Sequence, residues 1–253
     1  MPQLGLGTWL SLDGEAIRNA IDIGYRQMSV LDKSLENFGL EYLDLYLIHW
    51  PVAQKLVGDC DPLNPFHNTV LVKHDFVETW KGMEECFKLG LTKNIGLSNF
   101  NSKQVSRILN AATILPVTNQ IEVNPHLTQK KLIKFCHDRN ITITAYSPFG
   151  SPSRTWVKPG EPEIAFDHPT FVNIANKYGK TSSQVILRYL IDVGTIPVPK
   201  SSNKERMKLN LDVFDFKLND EEISSIDSMN IDYRAVAAKE FLDSDEYPFK
   251  EEF

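Results

Sequence analysis

The sequence has no apolar run approaching the roughly 20 residues a membrane-crossing helix needs. Its opening stretch, Met1–Glu15, has neither the basic start nor the apolar core of a secretory signal. Cysteine is scarce: Cys60, Cys86 and Cys136 are odd in number, far apart and form no Cys-x-x-Cys. That argues against a disulfide framework, and each reads as a reduced, buried thiol, so a cytoplasmic protein with no membrane partner is expected. Basic residues are outnumbered, 27 to 33, leaving a net charge of −6, which disfavours nucleic acid because phosphate binding rests on a basic surface. No Gly-x-Gly-x-x-Gly occurs, so the Rossmann fingerprint is absent. There is no internal repeat, no low-complexity tract and no cysteine-histidine cluster calling for a metal.

What remains is an ordinary globular composition, 42% hydrophobic and 24% charged over 253 residues, enough for one large barrel or two small domains. Short apolar strands alternate with amphipathic helices, the rhythm of a parallel α/β sheet or barrel. Strands are predicted at Leu4–Trp9, Leu43–Ile48, Asn94–Leu97, Val117–Ile121, Ile141–Ala145 and Thr195–Val198. Helices are predicted at Glu15–Gly24, Asp75–Leu89, Ser102–Leu109, Gln129–Asp138 (capped by Thr128), Thr170–Tyr178, from Thr181 through Ile191, Lys204–Leu211 and Asp220–Ser228. Phe76, Trp80, Met83 and Phe87 form one apolar stripe. Gly179 stops one helix, while Thr181 with Gln184 and Asn219 with Glu222 read as capping boxes. Asp59–Asn68, rich in Pro and Asn, reads as a long loop, and the tail Met229–Phe253 as irregular.

These strands number six, whereas a closed barrel of this type has eight. The rhythm breaks at one place. Between Glu15–Gly24 and Leu43–Ile48 lies only another helix-like stretch, Val30–Phe38, with no strand between.

Six segments resemble the aldo-keto reductase family, in family order and at family spacing. They are Leu4-Gly5-Leu6-Gly7-Thr8-Trp9, Asp44-Leu45-Tyr46-Leu47-Ile48-His49-Trp50-Pro51, Ile95-Gly96-Leu97-Ser98-Asn99-Phe100, Asn119-Gln120-Ile121-Glu122, Ala145-Tyr146-Ser147-Pro148 and Ile196-Pro197-Val198-Pro199-Lys200-Ser201. Tyr247-Pro248-Phe249 is similar to the family's C-terminus.

The resemblance implies a single domain over 1–253 of (β/α)8 TIM-barrel type, incomplete near 27–30, with a C-terminal loop at 229–253. It implies NADP(H) as cofactor and a small carbonyl substrate reduced to an alcohol. Members are usually monomeric, and open strand edges offer a route to association.

Residue by residue, His49 resembles the histidine that orients the substrate carbonyl. Ser98, Asn99 and Gln120 resemble the set holding the nicotinamide carboxamide, which needs donors and acceptors together. Tyr146 resembles the residue stacked on the nicotinamide. Thr8, Trp9, Ser147, Pro148, Phe149 and Ser151 fall at further cofactor positions. Lys200, Ser201, Arg206 and Asn210 resemble the clamp on the adenosine 2′-phosphate and adenine, although Leu209 replaces the glutamate that usually precedes this asparagine. Trp9, Trp50 and Trp156 resemble walls of the substrate pocket.

One part of the pattern is missing. After Gly24-Tyr25-Arg26 the family continues to an aspartate, then the proton-donating tyrosine, then a lysine on the third strand. Here Gln27-Met28-Ser29-Val30-Leu31-Asp32 follows. The second strand, second helix and third strand have no counterpart, so turnover is expected to be weak or absent. The alternatives are an NADP(H)-binding pseudoenzyme and a poorly folding truncated isoform.

Overall fold

The computed structural model describes Leu31, residues 35–36, 39–57, 69–152 and 157–250. The expected strand Leu4–Trp9, the helix Glu15–Gly24, the loop Asp59–Asn68, Cys60, Thr8, Trp9 and Trp156 lie outside these residues. Leu31, Leu35 and Glu36 are helical, within the stretch expected at Val30–Phe38.

Five parallel strands are described: β1 Tyr46–Ile48, β4 Ile95–Ser98, β5 Thr118–Glu122, β6 Thr142–Tyr146 and β7 Thr195–Pro197. Their order is β1-β4-β5-β6-β7, and a separate antiparallel pair joins β2 Gln54–Leu56 to β3 Thr69–Leu71. The helices with described bounds are α1 Phe76–Lys88, α2 Ser102–Ala111, α3 Lys130–His137, α4 Pro169–Tyr178, α5 Ser182–Asp192, α6 Lys204–Leu211 and α7 Asp220–Asp227. A 3-10 turn, Lys239–Phe241, lies in the described part of the tail.

The chain divides into two compact units. One comprises Met1–Trp9, Ile121–His137 and Thr142–Ala237; the other comprises Leu10–Gln120, Asp138–Ile141 and Ala238–Phe253.

In the second of these units, β1 and β4 align Tyr46 with Ile95 and Ile48 with Leu97, and β4 continues the ladder with Leu97 opposite Asn119. All four residues of β4 are buried, as expected of a strand covered on both faces. Gly96 lets its neighbours close in, since a Cβ there would lie 2.7 Å from Leu47 Cδ2 and 2.8 Å from the Thr118 carbonyl oxygen. Asp75 caps α1 through Val77 N, and α1 buries Phe76, Trp80 and Met83. The stripe departs from expectation at its end. Phe87 is 38% exposed while Cys86 is fully buried, because Cys86 packs with Leu31 and Leu35 in a small apolar cluster and turns its neighbour outward. β1 is also shorter than Leu43–Ile48. Asp44 is exposed and paired to Lys93 at 3.3 Å, so only an isolated bridge, Leu43 to Thr92, precedes the strand.

In the other unit, β6 and β7 pair Ile143 with Thr195 and Ala145 with Pro197. Val185, Ile186, Leu187 and Leu190 of α5 are buried. The capping boxes at Thr181–Gln184 and Asn219–Glu222 are both present, and Gly179 ends α4 at φ +65°. Helix α3 starts at Lys130 rather than Gln129: Gln129 takes φ +47°, outside the helical range.

Candidate active site

In the unit holding β1 and β4, the chain turns at the strand ends and is fastened there by side-chain amides. Asn99 adopts φ +65° directly after β4, a left-handed conformation that asparagine tolerates better than most residues. Its N–H donates to Gln120 O at 2.9 Å, and its Nδ2 donates to His49 O at 3.0 Å and Ser98 Oγ at 3.2 Å. Ser98 Oγ in turn donates to Gln120 O at 2.9 Å. Four residues named from the sequence thus meet: His49, Ser98, Asn99 and Gln120. Gln120 enters through its carbonyl and lies within β5 rather than at its end.

The neighbouring Asn119 escaped the sequence reading as a functional residue. Its amide donates to Phe100 O at 2.8 Å and accepts from Phe100 N at 3.4 Å, bracing the same turn. Only the pairing of β4 with β5 reveals that contact.

His49 is the first residue after β1, and part of it remains accessible. Loss of water around its ring pushes the imidazole down from the ordinary 6.5 to about 4. It is neutral at physiological pH and retains one N–H donor. Trp50 follows, 4% exposed, with its ring centroid 5.9 Å from that of His49. Its Nε1 is buried with no hydrogen-bond partner among the described residues.

In the other unit, Tyr146 ends β6. Burial, reinforced by the Glu122 charge, raises its phenol far above the ordinary value of 10.0, so it keeps its proton. The chain then kinks: Ser147 at φ +48°, Gly150 at +67° and Ser151 at +52° all adopt left-handed backbone. This brings Ser147 Oγ within 2.6 Å of Ser151 Oγ. Pro148 is buried within that turn, and Phe149 packs edge-on against Phe166 at 5.6 Å.

Lys200 and Ser201 follow β7, and Asn203 Oδ1 caps α6 by accepting from Arg206 N at 2.9 Å. Ser201 Oγ accepts from Asn203 N at 3.2 Å. Asn210 is the buried residue of α6, whereas Leu209 is 41% exposed. The Lys200 and Arg206 side chains are exposed, with no internal ion pair among the described residues.

Glu122 belongs to a quoted motif but was assigned no role from sequence. Fully buried at the end of β5, it accepts from Ala235 N and Val236 N, each at 2.9 Å, and from Asn124 Nδ2 at 3.2 Å. Burial raises its pKa against the opposing pull of Arg234 and these bonds.

Comparison with known proteins places this architecture in one class. The model of the aldo/keto reductase family matches residues 22–231; the chain belongs to that family, and its fold is the family's α/β barrel type, with five of the parallel strands among the described residues. Aldo-keto reductase family 1 member A1-A of Danio rerio is 39% identical over 290 aligned positions, covering 93% of this chain and 88% of the relative. Aldo-keto reductase AKR2E4 of Bombyx mori is 44% identical over 221 positions, 86% of this chain and 67% of that protein. The crystal structure of AKR2E4 in complex with NADP matches with a TM-score of 0.83 at 34% identity, covering 98% of this chain and 95% of that one. The aldose reductase of Schistosoma japonicum matches with a TM-score of 0.83 at 32% identity, covering 100% and 96%.

Proposed function

We propose that this chain is an NADP(H)-dependent oxidoreductase that reduces aldehydes or ketones to alcohols, slowly because its proton-delivering residues are missing. The observation carrying this reading is the pair of exposed cations, Lys200 and Arg206, at the start of α6, neither of which has an ion-pair partner among the described residues. In a member of this family, a free basic pair beside a helix N-terminus fits a phosphate.

Lys200, Ser201, Arg206 and Asn210 hold the adenosine end, with Leu209 weakening the grip on adenine. Ser98, Asn99 and Gln120 hold the carboxamide. Tyr146, kept neutral, offers its ring to the nicotinamide, and Thr8, Trp9, Ser147, Pro148, Phe149 and Ser151 complete the cofactor contacts. Bound NADPH supplies the hydride. Neutral His49 donates its N–H to the carbonyl oxygen and stabilises the charge that develops there, while Trp9, Trp50 and Trp156 wall the substrate. Protonation of the resulting alkoxide falls to water, at a loss on the order of 10²–10⁴-fold relative to a positioned acid.

The deletion reading is supported by the sequence around residues 27–30 and by the alignment with the Danio rerio relative, which runs over 290 positions, more than the 253 residues of this chain. That observation also favours a second reading, a protein that binds NADP(H) without turnover. Placement in the cytoplasm accords with the burial of Cys86 and Cys136.

Consumption of NADPH with a simple aldehyde separates the readings. Slow turnover abolished by His49→Ala supports the reductase; NADPH binding with no turnover supports the pseudoenzyme; neither one sinks both.

A further inference from the structure

At the first turn of α2, two carboxamides each serve two partners. Asn101 Oδ1 accepts from Gln104 N at 2.9 Å, and Gln104 Oε1 accepts from Asn101 N at 3.2 Å, closing a capping box. The other ends of the same amides reach the C-terminal segment. Asn101 Nδ2 donates to Pro248 O at 3.0 Å, and Gln104 Nε2 donates to Glu246 O at 2.9 Å. One turn further, Arg107 bonds Glu246 Oε1 at 2.6 Å and Asp75 Oδ1 at 3.0 Å. The amides are the stronger hold: Gln104 is 5% exposed, whereas the Arg107 side chain is 43% exposed, and water weakens such a pair. A capping box asks only for acceptors, which Ser, Thr or Glu supply. Amides at both positions add donors that the box leaves over, and here both go to the tail.

That tail carries the rings that pack on Trp50. Phe249 lies edge-on to the indole at 5.8 Å and Phe241 at 5.3 Å, and Tyr247 packs on Phe249 at 5.5 Å. Because Trp50 Nε1 has no hydrogen-bond partner among the described residues, the shape of its neighbours sets the orientation of the indole beside His49.

We propose that Asn101 and Gln104 are positioning residues for Trp50: by holding Glu246 and Pro248 they seat Phe249 against the indole. The functional weight of this rests on Trp50 being a wall of the carbonyl pocket, as read above; the mechanical coupling stands apart from it.

The double variant Asn101→Asp/Gln104→Glu keeps an acceptor at each position, and so the box, while removing both donors to the tail. Two readouts are taken: amide hydrogen exchange over residues 242–250, and the emission component of Trp50, isolated by difference against Trp50→Phe. The expected result is tail exchange faster by about tenfold or more, with a red shift of the Trp50 component. In the active chain it also raises KM for the aldehyde while NADPH binding is unchanged. A tail that stays protected overturns the proposal, as does a freed tail with an unmoved Trp50 component. Should the double variant fail to fold, Phe249→Leu is expected to give the same Trp50 shift, and its absence is equally fatal. Exchange and emission need neither cofactor nor turnover. A chain that binds no NADPH therefore counts against the function proposed above, and an unmoved Trp50 counts only against this coupling.

Discussion

An alanine at Gly96 would bring its Cβ to 2.7 Å from Leu47 Cδ2 and 2.8 Å from the carbonyl oxygen of Thr118. The leucine can shift, but the carbonyl belongs to the β5 backbone and cannot move without breaking the ladder. Gly96→Ala is expected to cost about 1–3 kcal/mol, read as a lower denaturant midpoint at unchanged slope. His49 gives a pH signature of its own. Its folded value, about 4, lies below the 6.5 of an exposed imidazole, so between these values the unfolded chain binds more protons than the folded one. Stability is therefore full above pH 6.5 and drains as pH falls toward 4, by at most about 3 kcal/mol. Buried Glu122 titrates with the opposite sign, because its pKa is raised. The clean measurement is thus the melting profile of the chain minus that of His49→Asn, in which the Glu122 contribution cancels. A flat difference from pH 7 to 4 would contradict the assignment. At this scale the motifs told where a residue stands, His49 and Asn99 directly after a strand and Tyr146 at the end of one. Asn119 and Glu122 stood in a motif too, but their work depends on what they face. For Glu122 that is Ala235 and Val236, which no local pattern announces.

Helices α1 and α2 are joined by a carboxylate set among apolar neighbours. Glu84 is 5% exposed, and its Oε1 accepts from Thr113 N at 2.6 Å and Ile114 N at 2.8 Å, just past the end of α2. Trp80 Nε1 donates to Ile114 O at 3.2 Å beside it. Glu84→Ala leaves two backbone donors without this acceptor and is expected to cost about 2–3 kcal/mol. Glu84→Gln, which keeps an acceptor, is expected to cost less; equal losses in chemical denaturation would show that the hydrogen bonds are not what matters. At the start of α5, Thr181→Ala removes the bond to Gln184 N and is expected to cost about 1 kcal/mol. Helix ends such as Thr181, Asn219 and Gly179 were legible because a cap is settled within four residues. The β2–β3 hairpin was not, because three-residue strands carry too little alternation and their pairing is not local. The expected strand Leu43–Ile48 overran for a related reason: Asp44 sits in an apolar run, and only its exposure and its pairing to Lys93 show that the ladder starts later.

Taken whole, 98% of the chain matches a relative crystallised with NADP, at a TM-score of 0.83. The class was legible because six motifs stand in family order, whereas the consequence of the deletion proposed near residues 27–30 was not, since closure of a ring depends on every stave. NADP(H) binding through Lys200 and Arg206 is tested most directly by a thermal melt with and without NADPH. At about 100 times its dissociation constant a ligand stabilises by about 2.7 kcal/mol, which for a chain of this size raises Tm by roughly 5–10 °C. The expected result is a rise of that order, largely lost in Arg206→Ala. A cooperative melt whose Tm does not move in saturating NADPH would contradict the account.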